Sequence, residues 1–222
     1  MQCIVTAGPT FEPLDEVRRL TNLSTGRLGS ELANALTARG HDVALLIGQQ
    51  ATWHGERRAR QVETFTTTAS LRDRLQALAS PAVDAVFHSA AVSDFAFGKV
   101  WCQPPLGAPT GHKTGKFSTR EGTLLAELVP TPKIIELLRP WFPQAWLVGW
   151  KFEVDGDRAG VVRLAEQQIA TCHTDACVAN GRAYGAGFGL VRPGGQCAHL
   201  PDATALFVAL EEFMRASPAS RR

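Results

Sequence analysis

The chain has 222 residues, of which 45% are hydrophobic and 20% charged, with a formal net charge of +2. This is ordinary globular usage, enough for one substantial core, and it excludes global disorder. So balanced a charge gives no electrostatic reason to expect nucleic acid or an acidic membrane as partner.

The opening apolar run, Cys3 to Thr6, has the length of a strand and is too short for a signal core or a membrane span. After a long polar turn, Leu28, Leu32, Ala33 and Leu36 fall at helical spacing, and Gly40 is placed to end that helix. Val43 to Ile47 and Val62 to Phe65 read as strands, and Arg57, Arg58 and Arg60 between them as a solvated loop. Leu71, Leu75 and Leu78 mark a helix, and Val83 to Phe87 the next strand. Residues 94–120, with Pro104, Pro105 and Pro109, keep no period and are expected to form a mobile lid. Pro132 suits the first turn of a helix carrying Ile134, Ile135, Leu137 and Leu138. Leu147 and Val148 suggest a strand, Val161 to Ile169 a helix, and Ala176 to Ala179 another strand. Phe188 to Val191 and Cys197 to Leu200 flank Pro193, Gly194 and Gly195, which predicts a hairpin. A last helix runs through Leu206, Leu210 and Phe213 before a frayed tail at 217–222. Strands alternating with helices predict a single α/β domain over 1–222 around a mostly parallel sheet.

No later stretch approaches the roughly 20 apolar residues a bilayer helix requires, so the chain is expected to be soluble and cytoplasmic. Five cysteines without a CxxC pair point to reduced thiols. Cys172, His173 and Cys177 lack a fourth ligand at suitable spacing, and no metal site is expected.

The first turn ends in Asn22, Ser24, Thr25, Gly26 and Gly29. Backbone amides exposed there, with hydroxyls beside them, make a cradle for phosphate. A plain helix cap is the other reading of the same residues. The stretch is neither a Walker A loop nor a clean GxGxxG fingerprint.

Taken together, the motifs resemble the phosphopantothenate cysteine ligase family. Gly8, Thr10, Glu12, Asp15, Val17, Arg18, Asn22, Ser24, Thr25, Gly26 and Gly29 fit that family's first turn, and Ala91, Val92, Ser93, Asp94 and Phe95 its second signature. Lys116 is similar to a lysine on a mobile loop, the helix-opening Thr131 to Ile135 and Gly149 to Asp155 resemble the free-standing bacterial and eukaryotic branches of the family, and Val178 to Asn180 is similar to the strand end before a dimerisation hairpin. The resemblance implies a Rossmann-like, mostly parallel sheet with flanking helices and a small β-hairpin dimerisation lobe at Pro193–Gly195, hence a homodimer. It implies that 4'-phosphopantothenate, activated by CTP or ATP with Mg²⁺, is joined to the amine of cysteine. It carries no FMN, and the decarboxylase of the pathway is expected to be a separate polypeptide. Asn22, Lys116 and Arg18 are the implied catalytic residues. Gly8, Thr10, Ser24, Thr25, Gly26, Ser89, Ala90, Asp94, Lys116, Thr131, Pro132, Lys133, Ile134 and Trp150 are the implied nucleotide contacts.

Two lysines common in relatives align with Gln167 or Gln168 and with Thr171 or Cys172, which leaves Lys151 and Lys133 as the cations available to compensate. A non-catalytic nucleotide-binding relative therefore stays open. A nicotinamide-dependent oxidoreductase fits less well. The only tyrosine, Tyr184, is followed four residues later by Phe188 rather than lysine, and the second strand ends in Gly48 and Gln49 with no acid for a ribose. Lys113, three residues from Lys116, serves as the solvated loop cation for comparison.

Overall fold

The computed structural model describes residues 1–103, 110–111, 115–118, 120 and 122–215. The elements in order are β1 (Gln2–Ala7), β2 (Phe11–Pro13), β3 (Arg19–Thr21), α1 (Arg27–Ala38), β4 (Asp42–Gly48), β5 (Gln61–Phe65), α2 (Thr68–Ala77), β6 (Val83–His88), β7 (Phe95–Gln103), β8 (Thr110–Gly111) and β9 (Thr123–Pro130). They continue with α3 (Ile134–Trp141), β10 (Trp146–Phe152), α4 (Arg158–Cys172), β11 (Ala176–Asn180), β12 (Phe188–Val191), β13 (Cys197–Leu200) and α5 (Ala203–Arg215).

Eight strands form one sheet in the order β13-β12-β11-β10-β6-β1-β4-β5. The six from β11 to β5 run parallel, and the β12–β13 hairpin adds two antiparallel strands at one edge. Helices cover both faces, which is why the inner strands read as continuous apolar runs. On one face Leu32 and Leu36 of α1 and Leu206 and Leu210 of α5 pack on Val5, Val43, Leu45, Phe87 and Val148. On the other, Leu71 and Leu75 of α2 and Ile134 and Leu138 of α3 pack on Ile4, Leu46, Phe65, Val86 and Leu147. On that second side Val161, Ala165 and Ile169 of α4 cover Cys177, Ala179, Val191 and Tyr184. Truncating one such buried leucine to alanine costs about 2–5 kcal/mol.

Local signals set the helix starts. The Thr67 hydroxyl accepts from Ser70 N at the head of α2, and the Asp157 carboxylate from Gly160 N at the head of α4. Pro132 stands one residue ahead of Lys133, the N-cap of α3, rather than within its first turn. Among the described residues no helix is long and apolar enough to cross a membrane.

The segment expected as a lid is partly regular structure. Phe95–Gln103 is a strand that pairs antiparallel with Thr123–Pro130, and β8 adds a third strand on its other side. The pairing shifts register between Phe97 and Val100. There Lys99 N bonds the Glu127 carboxylate at 3.0 Å. This irregularity in a half-exposed ribbon erases the alternation that would mark a strand. Pro104, Pro105, Pro109, Lys113 and the 217–222 tail lie outside the described residues. The polar first turn contributes a second ribbon, β2 with β3, that sequence periodicity does not register because each strand has three residues.

Candidate functional site

The chain leaves β1 toward β4 and β5 on one side, then crosses to β6 and β10 on the other. The carboxyl ends of β1 and β6 therefore form a topological switch point, the place where open α/β sheets bind ligands.

At that point β1 and β6 continue their pairing past the sheet. Pro9 bridges Ala91, Ala91 N donates to Gly8 O at 3.0 Å, and Thr10 N donates to Ala91 O at 3.1 Å. Gly8 has φ 77, and a Cβ there would lie 2.9 Å from that of Ala51, so the turn requires glycine. Thr10 is fully buried. Its hydroxyl accepts from Ser93 N at 2.8 Å, and its carbonyl accepts from the Thr21 hydroxyl at 2.9 Å. Asn22, at the end of the β2–β3 ribbon, is exposed and donates its amide to the same Ala91 carbonyl at 3.1 Å. Buried Glu12 is structural: its carboxylate accepts from Thr68 N at the start of α2.

Gly26 is the N-cap of α1, with φ 75 and no side chain to cap the helix. The Thr25 hydroxyl accepts from Arg27 N at 3.2 Å, and Ser24 N bonds the Asn22 carbonyl at 2.9 Å. Gly29 lets α1 approach the sheet, since a Cβ would lie 2.5 Å from Ser89 Oγ and 2.6 Å from Ala7 Cβ. Ser89 Oγ in turn donates to Thr6 O at 2.6 Å, and Ala90 N to the Thr6 hydroxyl at 3.1 Å. That hydroxyl also meets His88 Nδ1 at 3.0 Å, and complete burial pulls the His88 imidazole down to about 4.

Ser93, Asp94, Thr131 and Lys133 gather where the β7–β9 ribbon leaves the domain. The Thr131 hydroxyl donates to Ser93 O at 2.5 Å, Thr131 N donates to Asp94 O at 2.9 Å, and Lys133 forms an ion pair with Asp94. Pro132 is exposed beside this pair, and Ile134 turns into the core. The Ser93 hydroxyl is buried and has no hydrogen-bond partner among the described residues.

Arg18 is engaged by its neighbours. It pairs with Asp15 at 2.6 Å and donates to Phe117 O at 2.8 Å. Desolvation opposes the charge on Asp15, but donors from Arg18, Val17 and Phe117 outweigh it and hold the carboxyl well below the usual carboxylate range. Lys116, adjacent to Phe117, is exposed.

Trp150 follows the Gly149–His88 pairing in β10, on the face packed by α1 and α5, and its indole N–H is buried without a hydrogen-bond partner among the described residues. The bonding network thus joins Gly8, Thr10 and Asn22 to Ser93, Asp94, Thr131 and Lys133. Ser24, Thr25, Gly26, Ser89 and Trp150 belong to the α1 side of the sheet.

The aligned positions of the missing lysines are also accounted for. Gln168 lies over Gly149, where a Cβ would come within 2.3 Å of its Nε2, and it donates to Cys177 Sγ at 3.2 Å. Lys151 pairs with Glu153 at 3.1 Å. Cys172 and Cys177 are buried, and burial pushes both thiols up. Among the described residues no three His, Cys, Asp or Glu side chains could hold a metal ion together.

Sequence reasoning missed the Ala91 carbonyl, a backbone acceptor that carries no residue signal, and the Asp15–Phe117 contact, which joins residues 102 positions apart.

Residues 1–193 match the family described as DNA/pantothenate metabolism flavoprotein C-terminal domain. The coenzyme A biosynthesis bifunctional protein CoaBC of Thermococcus kodakarensis is 32% identical over 177 residues, 80% of this chain and 40% of that protein. This chain therefore spans less than half the length of that relative. The solved DNA/pantothenate metabolism flavoprotein from Streptococcus pneumoniae superposes with a TM-score of 0.82 at 24% identity, covering 97% of this chain and 99% of that one. A Cab2 mutant solved in complex with phosphopantothenate-cysteine superposes with a TM-score of 0.70 at 19% identity, covering 100% of this chain and 89% of that one. Both structures share the fold described above, and on the match over residues 1–193 the chain belongs to the family of DNA/pantothenate metabolism flavoprotein C-terminal domains.

Proposed function

We propose that this chain is a phosphopantothenate cysteine ligase acting in coenzyme A biosynthesis in the cytoplasm. The observation that carries the reading is the first turn, which brings Asn22 to the Ala91 carbonyl at the switch point, next to the start of α1, whose N-cap is a glycine. The ligand in the Cab2 complex and the activity in the CoaBC name support the same chemistry.

A carboxylate oxygen of 4'-phosphopantothenate attacks the α-phosphorus of CTP, or of ATP, and the bond to the β-phosphate breaks to release pyrophosphate. The cysteine amine then attacks the acyl carbon, the nucleotide leaves, and the amine loses a proton. The first step crowds negative charge, so fixed dipoles and cations supply most of the help. The start of α1 at Gly26, with the Ser24 and Thr25 hydroxyls beside it, suits the polyphosphate. Lys116 neutralises the developing charge. Asn22 uses one amide hydrogen on Ala91 and retains a second hydrogen and its carbonyl oxygen for the acyl nucleotide. Ala90, Asp94 and Thr131 to Lys133 are assigned to the nucleoside pocket, with Ile134 packed in the core behind them and Trp150 on the opposite, α1 face of the sheet. Mg²⁺ carried in with the triphosphate would add to this charge neutralisation.

We also propose a homodimer. Support comes from the outer edge of β13 and from the ribbon, where Phe95, Leu125 and Leu128 are 45%, 46% and 49% exposed. A light-scattering mass equal to one chain at micromolar concentration would contradict it.

A second reading, a nucleotide-binding relative without catalysis, draws on the neutral Gln168 and on the pairing of Lys133 and Lys151 with carboxylates. Thermal shift separates the readings from an oxidoreductase, because a ligand that binds only the folded state raises the melting temperature. The ligase reading expects a rise with CTP or ATP plus Mg²⁺ and none with NADPH. A rise with NADPH alone would overturn it.

A further inference from the structure

We propose that Asp15 is a positioning residue for Lys116, acting through the backbone of Phe117. The proposal rests on the reading of Lys116 as the charge-neutralising cation. The Asp15 side chain has no exposed surface and accepts five hydrogen bonds. Two are local: Val17 N and Arg18 N reach Oδ1 at 3.0 and 2.7 Å and close the turn. Those bonds alone would satisfy an ordinary turn aspartate.

The other carboxylate oxygen faces outward from that turn. Oδ2 accepts from Arg18 Nε and Nη2 at 3.0 and 2.6 Å and from Phe117 N at 3.2 Å. Arg18 Nη2 closes the circuit by donating to Phe117 O at 2.8 Å. Both backbone groups of Phe117 are therefore held by a single ion pair. Glu16 N adds a bond to Gly115 O at 3.1 Å, so the backbone is held on both sides of Lys116. The Phe117 ring is buried, with the Arg18 guanidinium 5.9 Å from its centroid. Gly115 packs tightly, since a Cβ there would lie 3.0 Å from the Glu16 carboxylate.

Bonds to the Gly115 carbonyl before Lys116 and to the Phe117 amide after it hold the Lys116 backbone in place, which fixes the point from which its side chain reaches. Such restriction is what orientation of a catalytic group requires. Arg18 consequently acts on Lys116 at one remove.

The test is a double-mutant cycle on kcat/KM for the complete reaction, together with hydrogen exchange at the Phe117 amide. Asp15→Ala should lower kcat/KM at least roughly tenfold in the natural chain and by less than about twofold in a Lys116→Ala background, as coupled residues do. The Phe117 amide should exchange at least about tenfold faster in Asp15→Ala. Equal losses in both backgrounds, or unchanged exchange at Phe117, would overturn the proposal. If Asp15→Ala does not fold, Arg18→Gln removes the bond to the Phe117 carbonyl and enters the same cycle. Absence of turnover by the natural chain would count against the ligase reading instead, and exchange at Phe117 would then decide whether the clasp exists.

Discussion

Asn22 donates its side-chain amide to the carbonyl oxygen of Ala91 at 3.1 Å, 69 residues further along the chain. That carbonyl already accepts from Thr10 N, so the acceptor is shared by the two ends of the first turn. Asn22→Asp puts a carboxylate against a carbonyl and turns attraction into repulsion. Steady-state assays should show kcat/KM reduced at least roughly tenfold, or about 1.4 kcal/mol in the barrier. Because Asn22 is exposed, the melting temperature should fall by only a few degrees, roughly what 1 kcal/mol does in a domain of this size. A full loss of folding would show that the bond is structural first.

Lys116 gives the next contrast. It is exposed, so Lys116→Ala should change stability by no more than about 0.5 kcal/mol, yet lower activity at least roughly tenfold. Lys99, an exposed lysine on β7, is the control for a general charge effect. Similar small losses for Lys99→Ala and Lys116→Ala would remove Lys116 from its assigned role.

His88 links stability to pH. Its ordinary value of 6.5 is pulled down to about 4 by burial. Above pH 6.5 the folded and unfolded chains both carry it neutral. As pH falls from 6.5 toward 4 the unfolded chain takes up a proton that the folded chain refuses, so stability drops across that window, by on the order of 3 kcal/mol in full. Urea melts at several pH values should give a steeper decline for the natural chain than for His88→Gln. Parallel curves would contradict the assignment.

Gly26 has φ 75, and a Cβ would lie 2.9 Å from both Ala51 Cβ and Ile47 Cδ1. Gly40 has φ 82 with nothing within 4 Å of the same position. Both alanine variants meet backbone strain of about 1–3 kcal/mol, and only Gly26→Ala adds a clash. Thermal melts should place Gly26→Ala clearly below Gly40→Ala, and equal melting temperatures would mean that the packing at Gly26 is unimportant.

The central sheet was legible because strands buried on both faces and helices with one apolar stripe leave different periods in the chain. Phe188–Val191 and Cys197–Leu200 even keep their bounds, since Pro193, Gly194 and Gly195 punctuate them. The β7–β9 ribbon was not legible, because a register shift near Gly98 and half-exposed faces leave no alternation to count. Asn22, Thr10 and Gly8 belong to one motif in the chain, and the structure joins them at Ala91. Arg18 is one of the catalytic residues that the resemblance implies. Its engagement by Asp15 and Phe117 depends on a contact across 99 residues that no local pattern encodes.

The most direct test of the ligase reading is pyrophosphate release by the purified chain with Mg²⁺, CTP or ATP, and 4'-phosphopantothenate, each omitted in turn. The account predicts release that requires both the nucleotide and phosphopantothenate, with the amide product accumulating once cysteine is added. No release with either nucleotide, or release that ignores phosphopantothenate, would contradict it.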